Sequence, residues 1–317
     1  MLNESGLYER DRDRGNDWFG HPLKLDRSLR RALPHGERTT ERLYDAGAIY
    51  QKNDVFLETT HNKERCGRGM LTGGIALPLI GLNILMIYAF FLLISHLISD
   101  PQRLSLFFPL GVIVILGGGV DLFALYSPLM YDWFNYRHAP IRFNRRTRQV
   151  HVFYTPRFGG PRSYDWDEIA ALIIEGRDKG RQGGRPDYHV LTLIAVTPDQ
   201  KHYYDSVEIG DQIVLYEYCL AWWEYIRRFM EEGSESIPEP DWTLSERLSL
   251  RESFLRWFPL REMRRDHASG LNIRPAIVRM VLMSPFLTLF SIGHFISMLT
   301  SRHVRWPQEI RQACGEA

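Results

Sequence analysis

Apolar and polar positions alternate in long blocks along this chain. From Met70 to Ser99 there is no Asp, Glu, Lys or Arg, and from Leu104 to Tyr131 the only charge is Asp121. About 20 apolar residues cross a bilayer core, so each block predicts a membrane-spanning helix, at about 71–98 and 104–131. The Asp100-Pro101-Gln102-Arg103 turn between them forces an antiparallel hairpin. After the hairpin the period shortens. Ile141-Arg142-Phe143-Asn144 and Val150–Tyr154 alternate around a basic turn, a β-hairpin signature, and Ala170–Glu175, Tyr188–Val196 and His202–Ile209 read as further strands. Asp211 to Glu232 carries Ile213, Tyr216, Leu220, Trp223 and Ile226 at helical spacing.

These elements predict an α+β membrane protein. Residues 1–69 form a cytoplasmic N-terminal arm that packs on the rest, with a strand in 53–60, and 70–136 form the transmembrane hairpin. Residues 137–233 form an antiparallel β-module closed by a helix, the order of a pleckstrin-homology-like barrel. Residues 234–317 hold a linker, an amphipathic helix starting at the capping box Thr243–Glu246, and a third apolar stretch at 280–301. That stretch is broken by Pro285 and Gly293 and has arginines on both flanks. A helix lying in the membrane interface is favoured over a third span.

The hairpin gives an orientation. Lys52, Lys63, Arg65 and Arg68 precede it and Arg137, Arg142, Arg145, Arg146 and Arg148 follow it, whereas the turn carries only Arg103. The positive-inside rule places both flanking regions, the N-terminus included, in the cytoplasm. The first 30 residues lack an apolar core, so no cleaved signal peptide is expected. Asn83 and Asp121 are the polar residues deep in the two arms. Counted from the turn their depths differ by about 3 Å, which predicts an intramembrane hydrogen bond between them.

Composition narrows the chemistry. With 39 Lys and Arg against 38 Asp and Glu the net charge is +1, which argues against nucleic-acid binding. The 3 cysteines are far apart, and no CxxC, HExxH, GxSxG or phosphate-loop order occurs, so no metal, cofactor or enzymatic activity is expected. Charge is segregated instead. Residues 137–162 carry 7 Arg and no acid, while 163–244 carry 17 acids and 7 bases, a balance of −10. Asp165, Asp167, Asp205, Glu208, Glu217 and Glu224 are the candidate contacts for a basic protein partner, with the Trp18–Pro22 patch as a further one. Arg142, Arg145, Arg146, Arg148, Arg264 and Arg265 are the candidates to face anionic lipid.

Trp18, Gly20 and Pro22, the hairpin, Arg142-Phe143-Asn144-Arg145 with Val150, Tyr164–Ile169, and Arg305-Trp306-Pro307-Gln308-Glu309-Ile310 together mark a family pattern. In these features the chain resembles an uncharacterised family of bacterial inner-membrane proteins often encoded beside type VI secretion effectors. The resemblance implies an immunity or accessory protein whose partner is a secreted effector or a secretion component. The alternative is a membrane-anchored module that binds or senses anionic lipid.

Overall fold

A computed structural model describes residues 32–61, 68–99, 107–176, 188–196, 203–268, 270 and 272–316. The chain is α+β and divides into two compact units. One comprises Met1–Cys66, His138–Ser245 and Val304–Ala317, the other Gly67–Arg137 and Glu246–His303. The units follow the fold and not the order of the chain, so the N-terminal and C-terminal regions join the β-module.

In the first unit, strands β1 (Ile49–Lys52), β2 (Phe56–Thr60), β3 (Pro140–Asn144), β4 (Gln149–Val152) and β5 (Arg162–Asp165) form a sheet in that order. All its pairings are antiparallel, and β2 meets β3 from Phe56↔Asn144 to Thr60↔Pro140. The module therefore begins before the apolar block, because the arm supplies its first two strands. A second antiparallel sheet holds β6 (Ile169–Gly176), β7 (Tyr188–Val196) and β8 (Tyr203–Ile213).

Helix α3 (Tyr216–Glu231) follows and buries Trp222, Trp223, Tyr225, Ile226 and Phe229. It starts later than its periodicity suggests. Strand β8 runs on to Ile213, paired with His189, through a bulge at Gly210, whose φ of +72° suits glycine. Trp166, in the turn between β5 and β6, stacks on Trp223 at 5.4 Å and donates to Glu231 at 2.6 Å, tying the corner between the sheets to α3.

The second unit is helical: α1 (Met70–Ser99), α2 (Phe107–Tyr131), α4 (Leu250–Trp257), α5 (Leu260–Ala268) and α6 (Arg274–Thr300). A short helix α7 (Gln308–Ala313) returns to the first unit. Segments Met70–Leu92 of α1 and Arg274–Thr300 are long and apolar enough to cross a membrane, and Val114–Tyr126 in α2 is a shorter apolar segment. Helix α4 begins later than the Thr243 capping box implies. Leu244 N–H bonds the Ile49 carbonyl at 2.7 Å, and Ser249 caps instead, accepting from Glu252 N–H at 3.5 Å.

Candidate functional site

The acidic candidates separate into buried ties and surface groups. Glu224 is fully buried, not on an exposed helix flank. The segment 34–41 covers the outer side of α3, with Trp223 donating to the Pro34 carbonyl at 3.3 Å and Arg228 to the Thr40 carbonyl at 2.9 Å. Within that cover Glu224 accepts from Arg227 at 2.8 and 3.0 Å, from Arg228 at 2.7 Å, and from Thr39 N–H and O–H at 2.9 and 3.0 Å. Burial pushes its pKa up, but these donors outweigh burial and hold it down at about 2.

Asp205 is half-buried and accepts from Arg162 at 2.7 Å, from Tyr154 at 3.2 Å and from Tyr164. Burial, then the carboxylate, raises both phenols above their usual value. Asp167 is exposed yet accepts two bonds from Arg148, at 2.5 and 2.9 Å, which lower its pKa. Asp165 and Glu217 are exposed, and Glu208 is half-buried on β8 opposite Thr192. Trp18 lies outside the described residues.

The basic candidates divide in the same way. Arg142 is buried and cannot face lipid. It lies opposite Glu58 in the β2–β3 register and is bonded to it, with Glu316 at 2.8 Å and the rings of Phe56 and Trp306 at 4.4 and 5.1 Å. Alternation correctly sends Ile141 and Phe143 to the core side, but the opposite face is not solvent, because the C-terminal tail covers it. Asn144, on that face, donates to the Ala313 carbonyl at 3.0 Å. Burial raises the Glu58 pKa, and His138 and Arg142 more than offset this, for a net lowering. Arg148 bridges Asp167 and Glu231, so it too is committed to the fold. Arg145, Arg146 and Arg264 are exposed, and Arg265 is half-buried.

Between the apolar helices, Asn83 donates to both carboxylate oxygens of Asp121 at 3.2 Å and to the Leu79 carbonyl at 2.8 Å. At the start of α1 a larger polar cluster escapes a search for isolated polar residues. Asp132 accepts from Thr72 N–H and O–H at 2.9 and 2.7 Å, and Ser297 donates to the Asp132 carbonyl at 2.6 Å. Arg68 donates to Ser297 at 3.0 Å and also reaches Ser301 and the Tyr136 carbonyl. The signal available in sequence was Ser297 and Ser301, one helical turn apart in an apolar run.

Among the described residues, the surface of the first unit has one run of large apolar residues. Val214, Leu215 and Tyr216 are consecutive and exposed at the entry to α3, beside Glu217, and Phe158 is exposed alone. Over residues 121–317 the chain matches DUF6708, a family of unknown function. It belongs to that family. No curated protein and no solved structure matches the chain. The DUF6708 region begins at Asp121 and takes in β3 to β8 and α3 to α7, but omits β1 and β2, which complete the first sheet. In this DUF6708 protein one of the two strands that pair with β3, and Glu58, one of the two carboxylates on Arg142, therefore come from outside the matched region.

Proposed function

We propose that the protein is a non-enzymatic protein of the bacterial inner membrane whose cytoplasmic module binds a basic protein partner, a secreted effector or a secretion component. In this reading α1 and α2 form a transmembrane hairpin, and both regions flanking it are cytoplasmic. The β-module, two antiparallel sheets followed by a helix, is read as pleckstrin-homology-like. Its ionised groups with lowered or raised pKa values act as ties between chain segments, which supports a structural and not a catalytic role for them.

The observation that carries the proposal is the exposed Val214-Leu215-Tyr216 run beside Glu217, within the acidic region 163–244. Apolar residues that a partner can desolvate, next to an exposed acid, suit a complementary basic protein surface. A photo-crosslinking residue at Tyr216 should capture a basic protein encoded beside this gene. Leu215→Asp together with Glu217→Lys should abolish capture while the protein stays folded in the membrane. Undiminished capture by that variant would remove this surface.

The runner-up, anionic-lipid sensing, draws on the 8 arginines against 4 acids at 245–279 and on the exposed Arg145, Arg146 and Arg264. It expects salt-sensitive binding to phosphatidylglycerol vesicles and no captured protein.

A further inference from the structure

We infer that α6 does not cross the membrane but lies along its cytoplasmic face with its apolar side in lipid, an inference that rests on reading α1 and α2 as a membrane hairpin. The argument is one of parity. Residues 1–66, 138–245 and 304–317 build one compact unit. Its parts are stitched by the β2–β3 ladder and by the bonds from Arg142 and Asn144 to the C-terminal tail. They therefore occupy one compartment, and every excursion between them crosses the bilayer an even number of times.

The excursion at 67–137 satisfies this on the hairpin reading, in which α2, whose apolar segment Val114–Tyr126 is the shorter, crosses beside α1. The excursion at 246–303 contains a single helix long and apolar enough to cross. A second crossing would fall to residues 246–273, where α4 and α5 have 8 and 9 residues. At 1.5 Å per residue neither reaches halfway across a core of about 30 Å. That segment also carries 6 arginines, each costly at the bilayer centre. One crossing breaks parity and two are physically barred, so α6 makes none.

Its surface shows where it lies instead. Val278, Val281, Leu282 and Phe286 are 51–69% exposed, while Ser291, His294 and Ser297 are buried. These exposed apolar residues lie toward the N-terminal end of α6 and the buried small and polar ones toward its C-terminal end, so exposure follows apolarity, the reverse of a helix in water and the polarity of one bathed in lipid. The buried part is seated on α1. Gly293 meets Gly69 and Gly73 so closely that a side-chain carbon at any of the three would overlap backbone. His294 bonds Ser253 of α4 at 2.9 Å, so α4 packs on the protein-facing side of α6. With both ends on one side and no crossing, α6, which contains Pro285, is held at the interface, where flanking arginines meet headgroups.

The test uses the full-length protein with Cys66→Ala, whose other thiols, Cys219 and Cys314, are buried. Asn272→Cys, between α5 and α6, should react with a membrane-impermeant maleimide only after the membrane is permeabilised, whereas Gln102→Cys should react in intact spheroplasts. Labelling of both from outside would overturn the inference and leave the hairpin standing. Failure of Gln102→Cys to label from outside would overturn the hairpin, and the inference with it. A fluorophore on Leu282→Cys in phosphatidylethanolamine–phosphatidylglycerol proteoliposomes should be quenched more by a spin label near the headgroup than by one at the chain end. Quenching by aqueous iodide alone would place α6 in water and overturn the inference.

Discussion

Asn83 and Asp121 put one hydrogen-bonded pair between two otherwise apolar helices. On the proposed hairpin reading both lie in hydrocarbon, where neither group would have water to fall back on, so each is worth keeping only while the other is present. Asn83→Leu and Asp121→Leu should each loosen the α1–α2 contact by about 0.5–1.5 kcal/mol. The double variant should cost little more than either single one, read as a double-mutant cycle on thermal unfolding in detergent. Additive costs would mean that the two groups act independently. The pair was legible because two polar residues stood out against a uniform background and could be matched by counting from the turn. Arg142 was not legible. Its strand alternates as a half-exposed strand should, and the aromatic ring and carboxylate that bury it arrive with Trp306 and Glu316, more than 160 residues later.

At the scale of elements, α3 and β4 should fail at different acidities. On β4, burial and then the nearby charge of Arg142 push His151 down to about 4. The folded protein therefore refuses a proton that the unfolded chain accepts below about 6.5, and stability falls as pH drops from 6.5 to 4. On α3, Glu224 is held at about 2 against an ordinary 4.5, so its contribution is present above 4.5 and is lost between 4.5 and 2. Each step is worth at most about 3 kcal/mol. Urea unfolding of the detergent-solubilised protein should lose the first step in His151→Asn and the second in Glu224→Gln.

Strand β7 was readable to the residue, since its nine positions form one apolar run bounded by turn-forming sequence. The start of α3 was not, because ladder pairing to His189 overrides the helical period that already begins near Ile213.

For the whole molecule, the consequence of the domain division is that the family-matched region is not a folding unit. A fragment of residues 121–317 exposes the edge of β3 that β2 covers and leaves the Arg142 guanidinium without Glu58. Glu316 stays on Arg142, so the loss falls short of the cost of leaving a buried charge unpaired, about 3–5 kcal/mol, and the open sheet edge adds to it. Limited proteolysis should find this fragment without a protected core, and the full chain with one that holds β2 together with β3. A fragment as resistant as the full chain would show β1 and β2 to be dispensable.

Synthesis runs from the N-terminus, so β2 leaves the ribosome while its neighbour in the sheet is still untranslated. Thr60 waits for Pro140, 80 residues later, and both hairpin arms emerge in that interval. An edge strand left open this long is a template for mispairing. If α1 and α2 enter a membrane as proposed, the sheet can close only after both have been inserted and β3 has followed. Completion of the β-module would then report that insertion has taken place, and a chain stalled before it would stay marked by an open sheet edge.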